Sequence, residues 1–139
     1  MNAERDRLRW SWPAEVSSVP TARHTVVESL RQRGTSDPPL SDVALVVSEA
    51  VTNAVLHAYL DRPPGEIVVE VSVEPDELVV LVEDDGTGMR PRLDSPGLGV
   101  GMALMAAVCT RLEAQRAAGG GTRLCAWFRR VPRAALSTT

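Results

Sequence analysis

Residues 66 to 73, EIVVEVSV, set Ile67, Val69, Val71 and Val73 against Val68, Glu70 and Ser72. That two-residue period belongs to a strand with one buried face. The next run, ELVVLVED, repeats it across a short Pro75-Asp76 turn, so the two runs are expected to form a hairpin. Upstream the period lengthens. Ala22, Val26, Val27 and Leu30 fall on one face of a helix expected from Thr21 to about Arg33, with Gly34 as its stop. A second helix is expected from near Ser41 to about Leu60, where DRPPG ends it; Val43, Val47, Ala50, Val51, Ala54 and Ala58 form its apolar face.

The remaining elements follow from punctuation. Trp10 and Trp12, two apart, would share a face of an edge strand that ends in a turn before Pro20. GTSDPPL reads as a loop between the helices. After the hairpin a loop from Gly86 to Leu98 leads to a helix near Val100 to Thr110. A strand follows at about Leu112 to Ala117, then a Gly119-Gly120-Gly121 turn and a last strand, TRLCAWF. Helices and hairpins in this order predict an α+β two-layer sandwich, with helices covering one face of a mixed sheet.

Composition narrows the functional classes. A chain of 139 residues is expected to form a single domain over residues 1–139, with a core over about residues 8 to 130 and a loose tail over 131–139. A net charge of -3 leaves no large basic field for a nucleic-acid backbone, so nucleic acid is not expected as a direct partner. Apolar stretches are broken well before the ~20 residues that span a bilayer, and MNAERDRLRW has no apolar signal core. A cytoplasmic protein with no membrane partner is the expectation. Cys109 and Cys125 lack CxxC spacing and read as free thiols in apolar surroundings. All fifteen basic residues are arginines, which excludes a P-loop, because that motif places a lysine on the phosphates.

Against this background SEAVTNAVLHAY, residues 48 to 59, poses a question. Glu49, Asn53 and His57 recur every four residues and form a polar stripe beside the apolar face. The stripe faces either solvent or a site. A mid-helix Asn costs several tenths of a kcal/mol, and an unconstrained surface would favour Lys, Glu or Gln. A carboxylate there can activate a hydroxyl, and an amide oxygen one turn away is a hard, neutral ligand for a magnesium ion that carries phosphate oxygens.

Two glycine motifs follow. VEDDGTGM puts Asp84 at a strand end, with Gly86 and Gly88 just after it. A polar turn explains Asp-Gly, but a two-residue hairpin needs only one glycine. A calcium loop would need further oxygen ligands, and MRPRL supplies none. As a nucleotide site, the carboxylate can accept a hydrogen bond from the exocyclic amine of adenine. PGLGVGMALM places Gly97, Gly99 and Gly101 at a helix start, where backbone N–H groups can approach phosphate. The same glycines could merely relieve crowding. A dinucleotide-binding reading fails, because the motif follows a proline-bearing loop and no βαβ unit surrounds it.

SEAVTNAVLHAY, EDDGTGM, GLGVGM and GGGTRL, in that order with a hairpin between the first two, closely resemble the ATP-binding domain of the GHKL superfamily. Within it the chain looks most like the small stand-alone serine/threonine kinases that act as bacterial anti-sigma factors. The resemblance runs from about residue 20 to residue 129. It implies the Bergerat fold and an ATP-Mg2+ site. In that site Glu49 would be the general base and Asn53 the magnesium ligand. Asp84 would bind the adenine amine, with Gly86 and Gly88 beside the base. Gly97, Gly99 and Gly101 would close the triphosphate side, Thr122 would support the adenine pocket, and His57 would lie near phosphate.

The implied partners are an anti-sigma factor antagonist as phosphoacceptor, a sigma factor, and a second copy in a homodimer, for which the edge strand around Trp12 is a candidate face. Histidine kinases add a helical segment with a phosphoacceptor histidine, and gyrase-type members add a domain that supplies a lysine to the phosphates. Neither is found in this sequence. The loop from Met89 to Pro96 is short, as in the anti-sigma kinases. Gly101 stands where many relatives carry a bulkier apolar residue. Two other readings remain: a nucleotide-gated module that sequesters a regulator without phosphoryl transfer, and a catalytic fragment serving a histidine protein in trans.

Overall fold

The structure is a computed structural model and describes residues 6–59, 63–86 and 98–131. The alternating runs form the strands they predict: β1 (Arg7–Pro13), β2 (Glu66–Val73), β3 (Glu77–Asp84), β4 (Arg111–Arg116) and β5 (Thr122–Arg129). They make one five-stranded sheet in the order β1-β2-β3-β5-β4. Every pairing is antiparallel, which corrects the expected mixed sheet. The cause is connectivity: β2 to β3 and β4 to β5 are tight hairpins. The helical crossovers from β1 to β2 and from β3 to β4 do not join parallel neighbours. β1 lies at an edge, as expected of the strand that carries Trp10 and Trp12, and these two stack on one face with ring centroids 6.2 Å apart.

Helices α1 (Ser18–Gln32), α2 (Leu40–His57) and α3 (Leu98–Val108) cover the other layer. α1 begins three residues earlier than the Thr21 start expected, since Pro20 falls in its first turn, where a missing N–H costs no intrahelical bond. Gly34 ends it with φ +73°, and the Thr35 N–H reaches back to the Leu30 carbonyl at 2.9 Å. α2 stops at His57 rather than near Leu60, and α3 runs Leu98–Val108 rather than Val100 to Thr110.

The core lies between the layers. Val43, Val47 and Val51 of α2 meet Val69 and Val71 of β2 and Leu78 and Val80 of β3, all at most 1% exposed. By length and composition α2 is apolar enough to cross a bilayer, but its apolar face is the one the sheet covers. The strict alternation along β3 puts Leu78, Val80, Val82 and then Asp84 on this covered face. A carboxylate is therefore delivered to the interior at the strand's end. Both cysteines are free and half-buried, and burial pushes both thiols up, as suits inert packing groups.

Candidate functional site

The polar stripe of α2 lies over the ends of β3 and β5. Asn53, His57 and Ala58 line a small hollow of about 10 Å³ together with Asp84 and Thr122. In the β3–β5 register Val82 faces Leu124 and Glu83 faces Arg123, so the next step sets Asp84 opposite Thr122. The strand ends and the helix thus bring together five residues from three separate stretches of the sequence.

Asp84 is 7% exposed. Its Oδ1 accepts the Gly86 N–H at 2.9 Å and the Thr122 N–H at 3.3 Å. Burial pushes its carboxyl above the usual carboxylate range, and the two backbone donors only partly offset this. A hydrogen-bond donor offered by a ligand would favour the charged form and relieve the same penalty.

Asn53 is 5% exposed, and its Nδ2 has no hydrogen-bond partner among the described residues. A buried amide left in that state costs about 1–3 kcal/mol. An acceptor such as a phosphate oxygen or a water molecule would remove the cost. One turn earlier Glu49 is half-buried beside α3. A Cβ on Gly101 would stand 2.9 Å from Glu49 Oε2 and 3.6 Å from both Asn53 amide atoms. Gly101 therefore leaves open a cradle that any other residue would fill. The donor set suits a hard cation held by one amide oxygen and completed by a ligand's own oxygens. No three His, Cys, Asp or Glu side chains gather to hold a metal among the described residues.

The other glycines divide. A Cβ on Gly86 would overlap the Ala58 carbonyl, so α2 and the chain after β3 touch backbone to backbone. Gly99 makes no such approach among the described residues. Gly88 and Gly97 lie outside the described residues. His57, expected near phosphate, lines the hollow beside Asp84 and Thr122, at the opposite end of the stripe from Glu49. The stripe thus runs from the Glu49 carboxylate at one end to the buried Asp84 carboxylate at the other. From residue 49 to residue 57 it covers about 12 Å of helix.

Several contributors carried no separate signal in the sequence. Gly121 was legible only as part of a turn, yet a Cβ there would overlap the Asp84 carbonyl oxygen. Tyr59 and Asp85 hydrogen-bond each other directly beside Asp84. The run HAY-to-EDD was visible, but the link between its ends was not.

A larger hollow of about 280 Å³ is lined by Asp76, Glu77, Thr110, Arg111, Trp127 and Arg129, with the Arg111 guanidinium 3.9 Å above the Trp127 ring. It sits at the far end of β5 and contains none of the stripe residues. Volume and chemistry disagree here, and the buried unpaired amide and carboxylate decide for the smaller hollow.

Known proteins match this arrangement. The family model described as "Histidine kinase-like ATPase domain" matches residues 12–128. A protein named anti-sigma F factor from Clostridium novyi is 29% identical over 132 residues, covering 86% of this chain and 91% of the relative. Another of that name from Clostridium kluyveri is 31% identical over 116 residues, covering 74% and 80%. Among solved structures, the RsbU and RsbW domains of a Mycobacterium tuberculosis protein superpose with a TM-score of 0.68 at 24% identity. That match covers 91% of this chain and 34% of the other. The likeness shows the fold.

Two predictions follow from the packing of Asp84. Its raised pKa means that the unfolded chain loses this proton first as pH rises. Stability is therefore lost between the ordinary carboxylate range and the folded-state value. Asp84→Asn keeps the oxygen that accepts both N–H groups and removes this loss. Urea unfolding should show the variant at least as stable as wild type at pH 7, with the difference shrinking toward about pH 4; a clear loss of stability at pH 7 would contradict the assignment. Gly121→Ala should cost about 1–3 kcal/mol through overpacking against the Asp84 backbone. In the same unfolding assay Gly119→Ala, where the space is open and φ is not positive, should stay within about 0.5 kcal/mol.

Proposed function

The chain belongs to the histidine kinase-like ATPase domain family, and from that premise we propose that it is an ATP-dependent serine/threonine protein kinase. It acts as an anti-sigma factor or partner-switching regulator and phosphorylates an anti-sigma factor antagonist. The single observation that carries the reading is Asn53. This buried amide has an Nδ2 without a hydrogen-bond partner among the described residues, shares one wall with Asp84 and, with Glu49, leaves a cradle at Gly101. The names of the clostridial relatives support the anti-sigma role.

In this reading Asp84 accepts the exocyclic amine of adenine. Guanine presents a carbonyl there, which a carboxylate repels, so the site selects ATP over GTP. Thr122, His57 and Gly86 line the base end, and the resemblance assigns Gly88 a role at the base as well. Gly97, Gly99 and Gly101 serve the triphosphate at the start of α3. Asn53 Oδ1 would hold Mg2+, which when bound would offset charge on the phosphate oxygens. Glu49 takes the proton from the acceptor's Ser or Thr hydroxyl. The hydroxyl oxygen bonds to the γ-phosphorus as the bond to the β–γ bridging oxygen breaks, and ADP leaves. Docking of the antagonist supplies the alignment that a one-base site lacks. A cytoplasmic homodimer that holds a sigma factor in one state and meets the antagonist in another completes the switch.

The test is capture from native cytoplasm with and without Mg-ATP, with the captured proteins read by mass spectrometry. The account expects an antagonist that gains acid-stable phosphate on Ser or Thr and is then released. Nucleotide-dependent capture with no modified partner would favour a binding module, and acid-labile phosphate would favour service to a histidine protein. In the purified reaction Glu49→Ala should retain ATP binding while transfer falls about 10²- to 10⁴-fold. Undiminished transfer would remove Glu49 from the mechanism.

A further inference from the structure

We infer that Tyr59 is a positioning residue for the nucleotide site: its hydroxyl clamps the peptide unit that carries the Asp84 carboxylate. The inference rests on the reading of Asp84 as the adenine-binding group, and it adds a residue and a device to that reading.

Tyr59 follows the last turn of α2, two residues beyond His57. Its Oη donates to Asp85 Oδ1 and accepts the Asp85 backbone N–H at 3.2 Å, and the Glu66 carbonyl oxygen lies 3.1 Å away. Of the two possible acceptors the carboxylate is the stronger, so the hydroxyl proton belongs on Asp85. Asp85 Oδ1 also accepts the Glu66 N–H at 3.3 Å, and Gly65 has no side chain because a Cβ would overlap that carboxylate. Burial and the bond to Asp85 push the Tyr59 phenol far above its ordinary value, which keeps it a neutral donor wherever the protein is folded.

An exposed Tyr–Asp bond would ordinarily be a surface tie of little consequence. This one differs in where it lands. The Asp85 N–H and the Asp84 carbonyl belong to one peptide plane. On its N–H side that plane is held by Tyr59 Oη, and on its carbonyl side it presses on Gly121 so closely that no Cβ fits. One residue further on, the Gly86 N–H binds Asp84 Oδ1 while Gly86 itself abuts the Ala58 carbonyl, next to Tyr59 in sequence. Tyr59 and Ala58 therefore join the end of α2 to the two successive peptides that follow Asp84. The helix that carries Glu49 and Asn53 and the strand end that carries Asp84 are fixed at one separation. A nucleotide must match that separation at both its ends.

Tyr59→Phe keeps the ring, which packs against the core, and deletes only the clamp. Calorimetric titration should show ATP affinity reduced about fivefold or more with GTP affinity unchanged, since only base reading is loosened. In the nucleotide-free protein the Gly86 and Thr122 amide resonances should shift, because both N–H groups bind Asp84 Oδ1. An ATP affinity within about twofold of wild type, with those two resonances in place, would overturn the inference even if the melting temperature fell. Should Tyr59→Phe not fold, Asp85→Asn weakens the same bond with the tyrosine present and is read identically. Asp84→Asn separates the two claims. If it abolishes ATP binding while Tyr59→Phe does not affect it, the clamp alone is wrong. If it binds ATP like wild type, the adenine assignment fails and the inference with it.

Discussion

The site depends on three close approaches to glycine, two of them backbone against backbone, where a side chain would displace its neighbour. Gly86 abuts the Ala58 carbonyl, Gly121 abuts the Asp84 carbonyl, and Gly101 faces the Glu49 carboxylate. Those approaches bring the polar stripe of α2 down onto the ends of β3 and β5. A carboxylate and an amide are thereby placed in a region that their own hydration would avoid. Asp84 remains there with its pKa raised by burial, and Asn53 remains with an Nδ2 that has no partner among the described residues. Both penalties concern groups that a nucleotide with its phosphates would satisfy, so the strained polar groups and the proposed ligand are two sides of one constraint.

Burial and pairing also set the division of labour along α2. The helix buries Val43, Val47, Val51 and Ala54 to hold itself on the sheet. The face turned by about one residue carries Glu49, Asn53 and His57 toward α3 and the strand ends. Apolar packing thus fixes the aim of the polar stripe, and a shift of one residue in that packing would turn the stripe away from Asp84. The salt bridges Arg7–Glu70 and Arg123–Glu83, by contrast, lie on the uncovered face of the sheet and contribute little to this arrangement.

Much of this was legible in the sequence because the signals were local. The period of two in EIVVEVSV and ELVVLVED marked the hairpin that ends at Asp84, and the period of four placed Glu49, Asn53 and His57 in line; the burial of Asp84, read as surface-accessible, was not legible. The sheet's all-antiparallel character was missed because pairing is set by where long connections return, which a residue pattern does not encode. The start of α1 was missed because Pro20 breaks a helix interior but is harmless in a first turn. His57, which the resemblance puts near phosphate, lines the hollow beside Asp84 and Thr122; periodicity gives a line and no direction along it, so this neighbourhood was not legible. Tyr59 carried no signal, since its role depends on a contact with Asp85, twenty-six residues away in sequence and one hydrogen bond away in space.

The most direct measurement is a two-dimensional amide spectrum of the labelled protein titrated with Mg-ATP. The account predicts that the largest shifts fall on Gly86, Gly101, Thr122 and the Asn53 side-chain amide, the groups that line the two ends of the stripe. If those signals stay in place, or if the shifts gather instead around Trp127 and Arg129 at the far end of β5, the nucleotide does not bind where the buried amide and carboxylate place it.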